Sequence, residues 1–277
     1  MDKDKKPITF RSPSSRAIAE IWQCIVLEDK REAEHEPILA SHVHSTILKH
    51  DNFSEALSHH LADLLGSVTV SALVLREVIN DAHRLSPDIV KQAAEDVAAT
   101  RDRDSACSEC GTPFLYYKGF HALQSYRVAN YLWNSDRKEL ASYLQSCMSQ
   151  RFGVDIHPAA KIGTGVMLDH ASGIVIGETS VVGDDVSIMQ SVTLGGTGKE
   201  GGDRHPKVEA GVLIGAGVKV LGNIRIGECS KIGAGSVVLK DIPAHSIAAG
   251  VPAEVLGKTC EAMPSFTMNQ GIDEKDS

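Results

Sequence analysis

Six residues in the second half of the chain carry side chains suited to acid–base and charge chemistry: Asp155, His157, Asp169, His170, Arg204 and His205. They stand among short Val, Ile and Gly units that have little else to offer a reaction. An Asp that holds one imidazole nitrogen leaves the other as a base with a pKa near neutral. Such a base takes a proton from a hydroxyl without help from a metal. Asp155 and His170 stand fifteen residues apart, a spacing that permits such a pair without requiring it and leaves open that each only caps a turn.

The surrounding pattern says what must position them. From Val208 a branched aliphatic recurs at every sixth residue, through Ile214, Val220, Ile226 and Ile232 to Val238. A period of six fits neither an amphipathic helix nor an exposed strand, and it is the signature of a parallel β-helix of hexapeptides. Three hexapeptides, about eighteen residues, make one triangular coil with the aliphatics inside. An earlier phase runs Ile156, Ile162, Leu168, and a second runs Ile176, Val182, Ile188, Leu194, two residues out of step. The slip falls within 171–175, directly after Asp169-His170. Residues 195–207, which include Arg204-His205, interrupt the repeat again and must leave a corner as a loop, where chemistry commonly sits. The glycines of this loop serve either as hinges alone or to let backbone approach a ligand closely. They follow no strand-to-helix unit and lack Gly-Lys-Ser, so they are no nucleotide-phosphate motif.

Before Gly153 the pattern is helical. Val70, Leu73, Val74 and Val78 have helical spacing, and Ser86-Pro87-Asp88 opens a helix through Val90, Ala94 and Val97. Thr112-Pro113 is expected to start one long helix through Leu115, Phe120, Tyr126 and Leu132. The aromatics Tyr116, Tyr117, Phe120, Tyr126, Tyr131, Trp133, Tyr143 and Phe152 are expected in a packed core or a subunit contact. His42, His44, His59 and His60 are expected on helix surfaces. The expected organisation is a disordered arm over 1–15, a helical domain over 16–152, a left-handed parallel β-helix over 153–258, and a flexible tail over 259–277. The fold class is α+β.

A formal charge of −8 and a pI near 5.8 argue against a nucleic-acid surface. No apolar run is long enough to span a membrane and the start lacks the apolar segment of a signal peptide, so the expected location is cytoplasmic. The six cysteines form no disulfide framework. Cys107 and Cys110 make a lone C-x-x-C without a second pair, so a structural role is expected and no metal.

Asp155-Ile156-His157-Pro158, Leu168-Asp169-His170-Ala171, Ser191 through Lys199 and Gly202-Asp203-Arg204-His205-Pro206-Lys207 resemble serine O-acetyltransferases. Lys118-Gly119-Phe120-His121-Ala122 and Ala248 through Ala253 extend the resemblance from about residue 16 to 258. The hexapeptides alone indicate only the wider acyltransferase superfamily. The Asp-His-Ala and Gly-Asp-Arg-His-Pro-Lys blocks narrow it. The resemblance implies transfer of acetyl from acetyl-CoA, as co-substrate and with no bound cofactor, to the hydroxyl of L-serine. His170 would be the base oriented by Asp155. Asp104 and Asp169 would hold the serine ammonium, and Arg204 and His205 its carboxylate or the developing oxyanion. Two carboxylates for a cation and a guanidinium for an anion agree with that assignment. Acetyl-CoA would lie between two β-helices of a homotrimer against Gly196, Thr197, Ala216 and Ala234. The family is commonly a dimer of trimers inhibited by L-cysteine at the serine site. Relatives that end in Ile dock that residue into O-acetylserine sulfhydrylase. This chain ends in Ser277, so no tight complex is expected.

Two other readings of the same residues are a hexapeptide acetyltransferase acting on a sugar or homoserine, and zinc held between subunits by His157, His170 and His205. The second does not match the spacing of γ-type carbonic anhydrases.

Overall fold

A computed structural model describes residues 8, 10, 11, 15–198 and 201–272. The helical half comprises α1 (Ser15–His35), α2 (Ala40–Val43) running into a π-helical turn at His44–Leu48, α3 (Phe53–Leu65) and α4 (Ala72–Leu85). It continues with α5 (Asp88–Arg103), α6 (Gly111–Tyr116), α7 (Lys118–Asn134) and α8 (Lys138–Phe152). Asn52 and Ser71 cap α3 and α4 with their side chains, as short polar residues do at helix starts. Gly153, at φ 67°, ends α8 in the left-handed conformation and turns the chain into the first strand.

From Val154 the chain winds as a triangular prism of parallel strands. Its first face stacks Val154–Ile156, Ile174–Ile176, Thr193–Gly195, Lys219–Leu221 and Val237–Val238. Its second face begins at Lys161–Ile162 and its third at Met167–Leu168. An antiparallel hairpin, Ser246–Gly250 with Ala253–Lys258, closes the end of the third face. Every aliphatic of the six-residue period from Val208 to Val238 is buried inside the prism, as the repeat predicts.

The two interruptions are visible as coil length. Along the first face Ile156 faces Ile176, Ile176 faces Leu194, Leu194 faces Val220 and Val220 faces Val238, intervals of twenty, eighteen, twenty-six and eighteen residues. The two extra residues of the first coil lie in the corner between the third and first faces. There His170 (φ 53°), Ala171 (φ 60°) and Gly173 (φ 76°) all take left-handed backbone. Two successive non-glycine residues in that region are strained, and such strain persists where neighbouring structure fixes it. The eight extra residues of the third coil form the loop that follows Gly195.

The halves share one apolar core that runs from Ile25 through Phe53 and Leu123 to Ile156. Polar bonds fasten the same junction. Asp96 of α5 accepts from Arg127 Nη2 at 2.7 Å, from Gln124 at 3.0 Å and from the amide of Val166 at 2.9 Å, while Arg127 also donates to the Gly163 carbonyl at 2.8 Å. Both Asp96 and Arg127 are buried.

Several expectations are corrected. The helix from Thr112 is broken at Tyr117 (ψ 109°), where the chain extends before α7 begins. The break lets Lys118-Gly119 meet the third–first corner: a Cβ on Gly119 would lie 2.0 Å from the Leu168 carbonyl oxygen. Leu73 and Val74 are exposed, and α4 packs inward through Leu75, Ile79 and Ala82 instead. His60 is buried, stacked on Phe114 and edge-on to His121, with Nε2 donating to the Leu115 carbonyl at 3.2 Å. The tail is packed rather than free over its described part. A short helix, α9 (Pro264–Thr267), lies against α5 with Phe266 under the Arg103 guanidinium, and Lys231 pairs with Glu261 at 3.2 Å. Arg11 of the arm bonds Asp184, whereas residues 1–7, 9, 12–14 and 273–277 lie outside the described residues.

Burial lowers the pKa of His60 to about 3 and those of His83 and His121 to about 4. An unfolded chain binds these protons below about pH 6.5, so the stability they contribute is present above that pH and is lost as pH falls toward 4. Asp29, raised to about 7 by burial and by Glu32, Glu28 and Glu109, takes up a proton on folding and offsets one histidine. These four groups together give a slope of at most about 2.7 kcal/mol per pH unit. Thermal melts between pH 6.5 and 4.5 should therefore show a falling midpoint, flattened in His83→Gln. A midpoint independent of pH in the wild type would contradict the burial of these rings.

Candidate active site

The residues singled out by sequence separate onto two edges of the first face. At the third–first corner stand Asp169 and His170. His170 projects outward with 73% of its side chain exposed, and its Nε2 lies 3.9 Å from Asp169 Oδ1. The helical half supplies a wall to this corner. Asp104 caps the C-terminus of α5, and its Oδ1 accepts from the Ala106 amide at 2.8 Å. Burial raises the pKa of Asp169 and the facing Asp104 adds to it. Two carboxylates held near one another in this way favour a cation between them. At the helix break, burial and the neighbouring Asp104 push the Tyr117 phenol up. Lys118 Nζ bonds Ser172 Oγ in the same corner.

At the opposite edge, between the first and second faces, stand Arg204 and His205. They line a hollow of about 260 Å³ with Gln145, Asp155, His157 and Glu178. Arg204 Nη2 donates to Glu178 Oε2 at 2.6 Å, and the Arg204 and His205 amides donate to Thr179 Oγ1 at 3.0 and 3.1 Å. His205 Nδ1 accepts from the Thr179 amide at 3.2 Å. A ring nitrogen that accepts from an amide carries no proton, so in the neutral ring Nε2 is the donor. Burial, with the charges of Arg204 and Lys207, lowers the pKa of His205 and keeps the ring neutral. Its edge rests on Gly177, where a Cβ would lie 2.0 Å from Cδ2.

The expected pairing of Asp155 with His170 is not made within one chain. Asp155 Oδ1 accepts from Gln145 Nε2 at 2.7 Å, and its carboxylate belongs to the Arg204–His205 hollow. The cause is coil length: Asp155 stacks on Val175, five residues beyond His170. The residues expected to meet a cosubstrate divide likewise. Gly196 and Thr197 follow the strand Thr193–Gly195 at the first–second edge, and Ala216 and Ala234 stack at the third–first edge, where the Gly235 amide donates to the Ala216 carbonyl at 2.7 Å. His157, His170 and His205 form no common metal-binding group among the described residues.

Sequence reasoning missed Tyr117, Gln145, Glu178 and Thr179. Tyr117 and Gln145 approach through the helical half, and no period connects them to the repeat. For Glu178 and Thr179 a signal existed, because they precede Arg204 and His205 by twenty-six residues, the length of the coil that bears the loop.

A prism of hexapeptide coils, with an exposed imidazole at one edge and a guanidinium beside a second imidazole at the other, defines a hexapeptide acyltransferase. The family model described as serine acetyltransferase, N-terminal, matches residues 21–125, and that of the bacterial transferase hexapeptide matches residues 205–240. The serine acetyltransferase of Haemophilus influenzae is 57% identical over 258 residues, which cover 92% of this chain and 97% of the relative. A solved serine acetyltransferase in complex with cysteine superposes with a TM-score of 0.91 at 57% identity, covering 92% of this chain and 99% of the other. Another, in complex with CoA, gives a TM-score of 0.83 at 56% identity over 86% of this chain and 100% of the other. The chain belongs to the serine acetyltransferase family. No helix among the described residues is long and apolar enough to cross a membrane.

Proposed function

We propose that the chain transfers acetyl from acetyl-CoA to the L-serine hydroxyl, at a site that closes between two copies. The observation that carries this reading is the segregation of charge. Asp104 and Asp169 stand on one edge of the first face with the exposed His170, and Arg204 with the His205 Nε2 donor stands on the other. A zwitterionic amino acid needs both, and a threefold assembly sets one edge of each prism beside the opposite edge of its neighbour. A neutral sugar would draw on neither the carboxylate pair nor the Arg204 guanidinium, which Glu178 already holds in place.

In this arrangement the carboxylates take the serine ammonium and Arg204 its carboxylate. His170 accepts the hydroxyl proton as the serine oxygen bonds to the thioester carbon, and the carbonyl electrons move onto oxygen. The His205 Nε2 proton is placed to bind that oxyanion or the carboxylate. Collapse of the tetrahedral intermediate breaks the carbon–sulfur bond, and the CoA sulfur leaves with the proton from His170. Asp155 of a neighbouring copy orients the base. Acetyl-CoA runs along the groove between prisms against Gly196 and Thr197 of one copy and Ala216 and Ala234 of the other, as a co-substrate with no resident cofactor. L-Cysteine has the same ammonium and carboxylate as serine and competes for the site, a reading supported by the cysteine complex of a relative. The exposed Leu73 and Val74 are suited to joining two trimers through the helical halves.

The test is release of CoA thiol in the presence of L-serine, homoserine or sugars. Release that depends on serine and is suppressed competitively by cysteine supports the assignment, and equal release with a sugar overturns it. Gly177→Ala provides a geometric check. The added methyl displaces the His205 ring, and an ångström of displacement costs on the order of a hundredfold in kcat/KM. A Gly177→Ala enzyme of wild-type turnover would remove His205 from the site.

A further inference from the structure

Cys110 does not face Cys107. Its thiol is turned toward α1, where the sulfurs of Cys24 and Cys110 and a carboxylate oxygen of Glu28 all lie within 4.8 Å of one another. We propose that Cys24, Glu28 and Cys110 form a binding site for a thiophilic divalent cation, zinc above all, which ties α1 to the start of α6.

The carboxylate is already set for this role. Glu28 Oε2 accepts from the amides of Cys110 and Gly111 at 2.8 and 2.9 Å, which fixes the group at the N-terminus of α6. Its other oxygen, Oε1, is left facing the thiols and accepts from Cys24 Sγ at 3.1 Å. Beyond the ligands, Arg101 Nη1 donates to Cys110 Sγ at 3.3 Å, the kind of outer hydrogen bond that stabilises a bound thiolate. Solvent supplies the fourth ligand, an oxygen. Two sulfurs and one or two oxygens suit zinc in tetrahedral coordination and disfavour magnesium or calcium, which prefer oxygen alone.

Binding forms two metal–sulfur bonds and releases both thiol protons to solvent. Two thiolates and one carboxylate around a divalent ion leave one negative charge, facing the Arg101 guanidinium that also pairs with Asp102 at 2.7 Å. No oxidant is needed. The turn from Asp104 to Cys110 hangs between α5 and this site, so the cation would brace the segment that carries Asp104.

The experiment uses the reduced, chelator-stripped full-length chain titrated with cobalt(II), followed by displacement with zinc. One equivalent per chain with thiolate-to-cobalt charge-transfer absorption, bleached by zinc, is the expected result. Cys24→Ser and Cys110→Ser lose the absorption. Cys107→Ser retains it, because the Cys107 thiol donates to the Glu109 carbonyl instead. Arg101→Leu keeps the absorption but binds about ten- to a hundredfold more weakly. Circular dichroism of each serine variant before metal addition separates loss of ligand from loss of fold. Absence of the charge-transfer band in the wild type overturns the site, and so does its loss in Cys107→Ser alone. A Cys24–Cys110 disulfide that persists under reductant also overturns it.

Discussion

Chains carrying His170→Ala, co-expressed with chains carrying Arg204→Ala, regain acetyl transfer that neither variant supports alone. Under the proposed assignment, loss of the His170 base costs about 10²- to 10⁴-fold in turnover, and removal of Arg204 takes away the partner proposed for the substrate carboxylate. Both losses are expected in the homogeneous proteins. In a mixed trimer, an interface that brings the unmutated His170 edge of one copy to the unmutated Arg204 edge of the next has every group it needs. With equal expression and random assembly, about a quarter of interfaces meet that condition, so the mixture should approach a quarter of wild-type activity. The expectation follows from the two edges of the first face, since Asp155 lines the hollow with Arg204 and His205 and not with His170. Purification through two different tags, followed by the thiol-release assay, measures it. Activity in the mixture no greater than the sum of the two variants would place the whole site within one chain.

The second large effect is on stability. Arg127→Leu removes the cation from Asp96, which is left buried with one amide and one carboxamide donor. Breaking a buried ion pair from one side costs about 3–5 kcal/mol, because the remaining charge is neither solvated nor paired. Urea unfolding should show that loss. Asp96→Leu combined with Arg127→Leu should recover part of it, since replacing both partners leaves no charge behind. A single-variant cost under about 1 kcal/mol would mean that water reaches the pair. Because Asp96 bonds α7 and the Val166 amide together, the variant also tests whether the two halves unfold as one.

The prism was legible because its inward residues obey a strict period and its interruptions are countable. Val208 through Val238 point inward as the spacing requires, and the two interruptions fall at corners. What could not be read was which edge each interruption extends. Fifteen residues between Asp155 and His170 looks like nearly one coil of eighteen, but the first coil is twenty residues long and sets Asp155 on Val175. The helical half was legible as helices and opaque as contacts. Nothing in Thr112-Pro113 announces that the helix must break at Tyr117, because the reason lies in a corner of the prism about fifty residues away. The N-terminus of α6 was equally hidden, for Glu28 supplies its cap from another helix.

The contact of Gly119 with the Leu168 carbonyl makes the start of α7 a stop against which the corner of His170 is seated. The two left-handed non-glycine residues of that corner are thus clamped from outside the coil that contains them. A prism excised at Gly153 would keep its stack of Val and Ile and yet lose the surface that aims its imidazole. The helices of this chain are in that sense a jig for one side chain, and a helical half transplanted from a relative would have to bring its own glycine to the same spot.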